Sequence, residues 1–443
     1  MFTTINPATG QNLNKYNYVT LEKSLEMLQA LSIAQKKWQQ LELEKRFNYL
    51  QEVRENFIKK KESLITLVHN EMGKSIPEAK AEFDKCLTLF DYYFANSELE
   101  LKPQVVSSRY SNVAIHFEPL GVIFSIMPWN FPMWQVMRFA IPALVSGNLV
   151  ALKHSDITAG TAVLLGMVFQ TSFGSLVSNI HVDHETAAAL IESPWVQAVT
   201  FTGSSRGGAQ VAKVAGAALK KTVLELGGMD PYLILPDAQL DHAVKSVVRG
   251  RFLNAGQSCV AVKRVIVLEA IKTQVLSAIE EELKSLAVAP LAQKKFQQHL
   301  HQQVQMLVSQ GAKLLCGGKI PEGVGAFYPP TILLFESNPP KLTEELFGPV
   351  LVVQVATSVE QAIAIANDSD YGLGGGVFTS DLALGQDILR QLQCGFAVLN
   401  DFVKSEAGLP FGGVKNSGYG RELGVFGLRE FVNIKTVAIG AST

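Results

Sequence analysis

Between about Leu21 and Leu99, apolar residues recur every three or four positions among charged ones, as in EKRFNYLQEVRENFIKKKESLITLVHNEM, and this spacing predicts several long amphipathic helices. The texture then changes. SNVAIHFEPLGVIFSIMPWN carries two strand-like runs, and short apolar runs alternate with helical segments from there to about Pro236. Strands alternating with helices are the pattern of a parallel sheet covered on its faces. A second series of this kind runs through DPYLILPDAQL, KRVIVLEAI, AFYPPTILLF, GPVLVVQVA and GGGVFTS to GFAVLN, and predicts a second α/β domain. After the glycine-rich PFGGVKNSGYGREL comes FVNIKTVAI, strand-like but without a partner in the preceding pattern; pairing with another subunit is one outlet for it.

The length of 443 residues fits two or three domains, and 47% apolar with 18% charged residues places the chain among globular proteins rather than disordered ones. A formal net charge of -1 supplies no basic surface, which argues against nucleic acid or an anionic membrane as partner and favours a small molecule. The apolar stretch FAIPALVSGNLVAL is broken by Pro142 and Gly147 well short of the roughly 20 residues a spanning helix needs. MFTTINPATGQNLNKY lacks the charged and apolar regions of a signal peptide, so a cytoplasmic location is expected. Cys86, Cys259, Cys316 and Cys394 are scattered, without zinc-site spacing or the density of a disulfide scaffold. His181 and His184 in HVDHE lack a further ligand cluster, and no metal is predicted.

Three positions carry candidate chemistry. Cys259 in NAGQSCVAVKR follows a glycine-containing loop and precedes Lys263 and Arg264, whereas a packing cysteine normally lies in an apolar run. As a nucleophile it needs a nearby base, cation or helix amino terminus to become thiolate. Glu225, in the apolar strand of TVLELGGMDP, is either a general base tuned by burial or a sheet-end carboxylate bonded to backbone amides. Asn130, between the prolines of MPWNFP, is either an oxyanion donor or a turn residue. A fourth feature is the turn from Gly203 to Gly208 in FTGSSRGG, which opens an alanine-rich helix; its amino terminus either receives an anion or simply makes a tight turn.

Taken together and in this order, PWNFP, FTGSSRGG, LELGG, GQSC, EELFGPV and PFGGVKNSGYGRE resemble the motifs of the aldehyde dehydrogenase superfamily over nearly the whole chain. MPWNFPMWQVMR, LKH and GAALKKTVLELGGMDP are most similar to its bacterial succinate-semialdehyde dehydrogenase branch. The resemblance implies an α/β fold with a Rossmann-type dinucleotide-binding domain (1–100 and 120–227), an α/β catalytic domain (228–415), a return segment (416–430) and a small β bridging arm for oligomerisation (101–119 and 431–443). It further implies a homodimer or homotetramer.

For chemistry, the resemblance implies that Cys259 attacks an aldehyde, Asn130 holds the oxyanion, and Glu225 activates water to hydrolyse the thioester. Trp129, Lys153, Asp156, Gly203, Ser204, Gly208, Glu345 and Phe347 match cofactor-binding positions. Asp156 favours NAD, because a carboxylate repels a 2′-phosphate, while Lys153 leaves NADP open. Arg138 matches the clamp for a distal carboxylate, with Lys404 and Ser405 as further substrate contacts. Some family members carry a second arginine where this chain has Leu253, so either Lys404 compensates or the substrate differs. The expected function is NAD(P)-dependent oxidation of succinate semialdehyde. Glutarate semialdehyde, a broad aldehyde range, and a noncatalytic binding protein retaining the fold are the alternatives.

Overall fold

A computed structural model describes residues 1–337 and 340–440. The amphipathic pattern at the start of the chain forms four helices, α1 (Leu21–Trp38), α2 (Leu43–Lys59), α3 (Lys61–Met72) and α4 (Ile76–Leu101). Local chemistry sets their ends. Gly73 closes α3 in the left-handed conformation at φ 81, and Ser75 opens α4 with a reciprocal capping box to Glu78. Their apolar faces pack on a first sheet, where Phe57 stacks on Phe83 with ring centres 4.1 Å apart.

That first sheet has six strands, in the order Gly418–Tyr419, Lys221–Glu225, Ala198–Thr202, Val122–Met127, Leu149–His154 and Val177–Asn179. Only the short Gly418–Tyr419 edge runs antiparallel. The strand that comes first in the chain, Val122–Met127, therefore lies between the second and the fourth, as in a doubly wound fold. The register pairs Thr202 with Glu225, Phe201 with Ile126, and Met127 with His154, so four carboxyl ends line up at one rim. Ligands of such sheets bind in the crevice outside the carboxyl ends where the strand order reverses, here beyond Met127 and Thr202.

The second sheet has seven strands, in the order Lys313–Cys316, Thr331–Phe335, Val350–Ala356, Arg264–Leu268, Pro231–Ile234, Gly374–Phe378 and Phe396–Leu399. All run parallel except the Lys313–Cys316 edge, and its central strands are buried on both faces, as their unbroken apolar runs require. Cores lie on both sides of it, one around Tyr232, Val247 and Ile279, another around Leu233 and Ile388.

The last strand, Val432–Ile439, finds its partner within the chain. It pairs antiparallel with Asn112–Pro119 from Val432 opposite Pro119 to Ile439 opposite Asn112, and Gln104–Val105 covers the other edge of Asn112–Pro119. The pattern alone offered it no partner because the pairing spans more than three hundred residues of sequence. Residues 441–443, the tail of the expected arm, lie outside the described residues.

Candidate active site

The loop carrying Cys259 is wound against the ordinary hand of the chain. Asn254, Ala255 and Gly256 adopt φ 54, 54 and 72 in succession, a conformation that costs non-glycine residues about 1–3 kcal/mol each. Tertiary contacts hold it there. Glu78 Oε1 accepts from the Asn254 N–H at 2.6 Å, and Asn254 Nδ2 donates to the carbonyls of Asn130 (2.8 Å) and Gln257 (3.2 Å). Asn130 Nδ2 donates to the same Gln257 carbonyl at 3.1 Å, which ties the strand-end asparagine directly to the cysteine loop. At the other end, Lys263 Nζ donates to the Cys259 carbonyl and to Glu345 Oε1, both at 2.7 Å. Arg264 has a separate role, anchoring on the carbonyls of Met229, Ile365 and Ala366.

Burial pushes the Cys259 thiol up to about 12, with Glu345 and Glu225 adding to the rise, while Arg138 and Lys263 pull it down. The resting thiol is therefore protonated at neutral pH. Glu225 ends its strand wholly enclosed, and neither carboxylate oxygen finds a hydrogen-bond partner among the described residues. Burial, then the nearby Glu422, raises it well above the ordinary carboxylate range, while Arg138 and Arg421 act the other way. Glu225 is thus no sheet-end residue satisfied by backbone amides; it is a buried group of raised basicity.

Two cavities meet at the thiol. The larger, about 520 Å³, is lined by Cys259, Glu225 and Asn130, and also by Trp129, Gly203, Ser204, Glu345 and Phe347. It lies at the rim where the first sheet reverses its strand order. Ser204 caps the helix Ser205–Ala217 by accepting from the Gly207 N–H at 3.2 Å, and this amino terminus opens on the cavity. Trp129 meets Phe347 edge-on at 5.7 Å and stacks on Phe296 at 5.0 Å, giving one wall an aromatic surface. Glu345 also accepts from the Gly228 N–H at 3.1 Å, so its carboxylate is held both by Lys263 and by the connection between the two sheets.

Three of the expected cofactor residues lie outside these walls. Lys153 and Asp156 are at and just beyond the end of Leu149–His154, and Asp156 Oδ2 accepts from the Tyr18 hydroxyl at 2.5 Å. Gly208 is buried in the helix, where an added Cβ would meet the Leu226 methyls. Its small size lets the helix pack closely.

The second cavity, about 340 Å³, contains Arg138, Lys404, Ser405 and Leu253, and shares only Cys259 and Gln135 with the first. Arg138 comes from α5 (Trp134–Val145), all of whose residues are buried, and it forms an ion pair with buried Glu422. Lys404 pairs with Asp401 at 2.7 Å. Ser405 Oγ accepts from Lys85 Nζ at 2.8 Å and from Trp134 Nε1 at 3.1 Å. Lys85, Glu78, Glu422 and Lys263, the ion-pair partner of the expected Glu345, were missed as site residues. A lysine at the margin of the buried stripe of α4, next to Glu82 and Cys86, was the one local signal for Lys85.

The model described as the aldehyde dehydrogenase family matches residues 1–437. The NAD(P)+ succinate semialdehyde dehydrogenase Sad of Escherichia coli is 39% identical over 448 residues, which cover 98% of this chain and 96% of that protein. A probable NADP(+) succinate-semialdehyde dehydrogenase of Synechocystis is 38% identical, with 98% of this chain and 99% of that protein covered. Among solved structures, the succinic semialdehyde dehydrogenase of Streptococcus pyogenes in complex with NADP+ superposes with a TM-score of 0.95 at 32% identity, covering the whole of both chains (100% and 100%).

Proposed function

This chain belongs to the aldehyde dehydrogenase family, and on that premise we propose that it oxidises succinate semialdehyde to succinate with a nicotinamide dinucleotide as hydride acceptor. Oxidation of a small-molecule aldehyde is the family chemistry. The observation that carries the reading is the place of Cys259 in the walls of both cavities, one lined by Trp129, Ser204 and Phe347, the other by Arg138, Lys85 and Ser405 among other residues.

In the proposed mechanism the Cys259 thiol releases its proton to solvent, and the sulfur bonds to the aldehyde carbon as the carbonyl π pair moves onto oxygen. The resulting oxyanion is held by the amide of Asn130 and the Cys259 N–H, the kind of preorganised donors worth about 3–4 kcal/mol each in a dry site. The larger cavity falls within the size range of cofactor sites, and its aromatic wall and helix amino terminus suit a nicotinamide ring and a pyrophosphate. Trp129, Gly203, Ser204, Glu345 and Phe347 would hold the dinucleotide, with Lys153 and Asp156 beyond them toward its adenosine; Gly208 acts through helix packing. When bound, that group supplies the acceptor for the hydride lost from the aldehyde carbon. Glu225 then takes a proton from water, whose oxygen attacks the thioester carbon; the carbon–sulfur bond breaks and the acid leaves. Arg138, Lys404 and Ser405 contact the distal end of the substrate.

NAD is the proposed preferred dinucleotide, with NADP also accepted: the Asp156 carboxylate, steadied by Tyr18, disfavours a 2′-phosphate that Lys153 would attract. We also assign residues 1–100 and 120–227 to cofactor binding, 228–415 to catalysis, and the sheet built from Asn112–Pro119 and Val432–Ile439 to a homodimeric or homotetrameric contact. The exposed Ile434, Val437 and Ile439 support that contact, and sedimentation as a monomer would remove it. No helix among the described residues is long and apolar enough to cross a membrane, and a cytoplasmic location is proposed.

The test is reduced-cofactor formation across an aldehyde panel with both dinucleotides, beside Cys259→Ala. Succinate semialdehyde is expected to give the highest kcat/KM and the variant no oxidation. A better uncharged or longer aldehyde overturns the substrate, and a clear NADP preference overturns the role given to Asp156.

A further inference from the structure

The cations and anions around the smaller cavity are mostly matched. Lys74 pairs with Glu82, whose other oxygen caps α5 by accepting from the N–H groups of Met133 (2.8 Å) and Trp134 (3.0 Å). Glu78 is taken up by Ser75 and Asn254, Arg138 by Glu422, and Lys404 by Asp401. Arg249 lies at the exposed mouth. Neither Lys85 nor Arg249 has a carboxylate within ion-pair distance among the described residues, but Arg249 is exposed to solvent, whereas Lys85 is set into the wall. Its Nζ rests 4.1 Å from the Trp134 ring centre and donates to the Ser405 hydroxyl.

That hydroxyl completes the picture. A serine oxygen accepts twice and donates once. Lys85 and Trp134 fill both acceptor positions of Ser405, so its own proton is free for an acceptor in the cavity it lines. The ammonium likewise keeps N–H groups beyond the one given to Ser405. Lys85 and Ser405 thus present donors and no acceptor, on a wall shared with Cys259. A carboxylate, with two accepting oxygens and one negative charge, is the complement of that pair.

We propose that Lys85, together with the Ser405 hydroxyl it orients, is the group that selects an aldehyde bearing a distal carboxylate. This rests on the substrate reading above and names the residue that enforces it. The charge on Arg138 is already met by Glu422, whereas that on Lys85 waits for its counter-ion. Burial, then Arg138, lowers Lys85 to about 8, against Cys86 and Glu82 on its own helix and Glu406 on the facing loop; Arg249, Lys404, Lys74 and Glu78 stand around the same cavity. A bound carboxylate restores the charged form. The KM for succinate semialdehyde therefore rises as pH climbs through about 8, while that of an uncharged aldehyde does not follow it.

The experiment compares kcat/KM for succinate semialdehyde with that for butanal, in the native enzyme, Lys85→Met, Lys85→Arg and Ser405→Ala, from pH 7 to 9.5. The selectivity ratio is expected to fall about tenfold or more in Lys85→Met, through KM rather than kcat, and by less in Ser405→Ala. In Lys85→Arg the rise of KM above pH 8 disappears, since a guanidinium stays charged. Native selectivity that survives intact in Lys85→Met overturns the role of Lys85 alone; absence of selectivity in the native enzyme overturns both it and the substrate. Should Lys85→Met fail to fold, a flat native KM for succinate semialdehyde between pH 7 and 9.5 overturns the assignment.

Discussion

Cys259 combines a reactive role with surroundings that oppose ionisation. Burial raises its thiol, and the opposing cations Arg138 and Lys263 are each shared with a carboxylate, Glu422 and Glu345. Since the thiolate is the nucleophile, its fraction grows about tenfold per pH unit below the thiol's raised value. Inactivation of the cofactor-free enzyme by iodoacetamide is therefore expected to accelerate about tenfold per unit from pH 7 to 10, and a plateau below pH 8.5 would contradict this picture. Local setting marked Cys259, Glu225 and Asn130 only as candidates; the order of the motifs that carry them, through the family resemblance, supplied their roles. The sequence hid Glu422 and Lys85, whose meaning lies in what they face: an arginine on α5 in one case, a serine 320 residues away in the other.

At the scale of elements, the site depends on a turn that two non-glycine residues enter unwillingly. At Gly256 a side chain would fall against the Gly348 carbonyl oxygen, besides having to adopt φ 72. Gly256→Ala should destabilise the chain by about 1–3 kcal/mol and lower kcat by displacing Cys259. Gly216→Ala is the control: a Cβ there meets nothing within 4 Å and favours the helix. Calorimetry should find the first variant melting several degrees below the second, and equal melting would mean that the loop carries no such constraint. The four leading helices were legible because their apolar spacing repeats over many turns. The Gln170–Thr171 and Gly174–Ser175 hairpin and the Gly418–Tyr419 edge were not, being two-residue strands whose pairing is set by neighbours.

For the whole molecule, the two sheets divide the work. The carboxyl rim of the first supplies Asn130, Ser204 and Glu225, and the loop ahead of the strand Arg264–Leu268 in the second brings in Cys259. Alternating strands and helices were enough to read two α/β units. The facing of one against the other, which creates both cavities, is a matter of long-range packing, as is the pairing of Val432–Ile439 with Asn112–Pro119. The central claim is that oxidation passes through an acyl group on Cys259 that Glu225 helps water remove. Its most direct test is rapid mixing of Glu225→Gln with succinate semialdehyde and cofactor, followed by intact-mass analysis. The account predicts a burst of reduced cofactor matching the enzyme concentration, slow turnover afterwards, and a succinyl group retained on Cys259. Steady native-rate turnover with no adduct would contradict it.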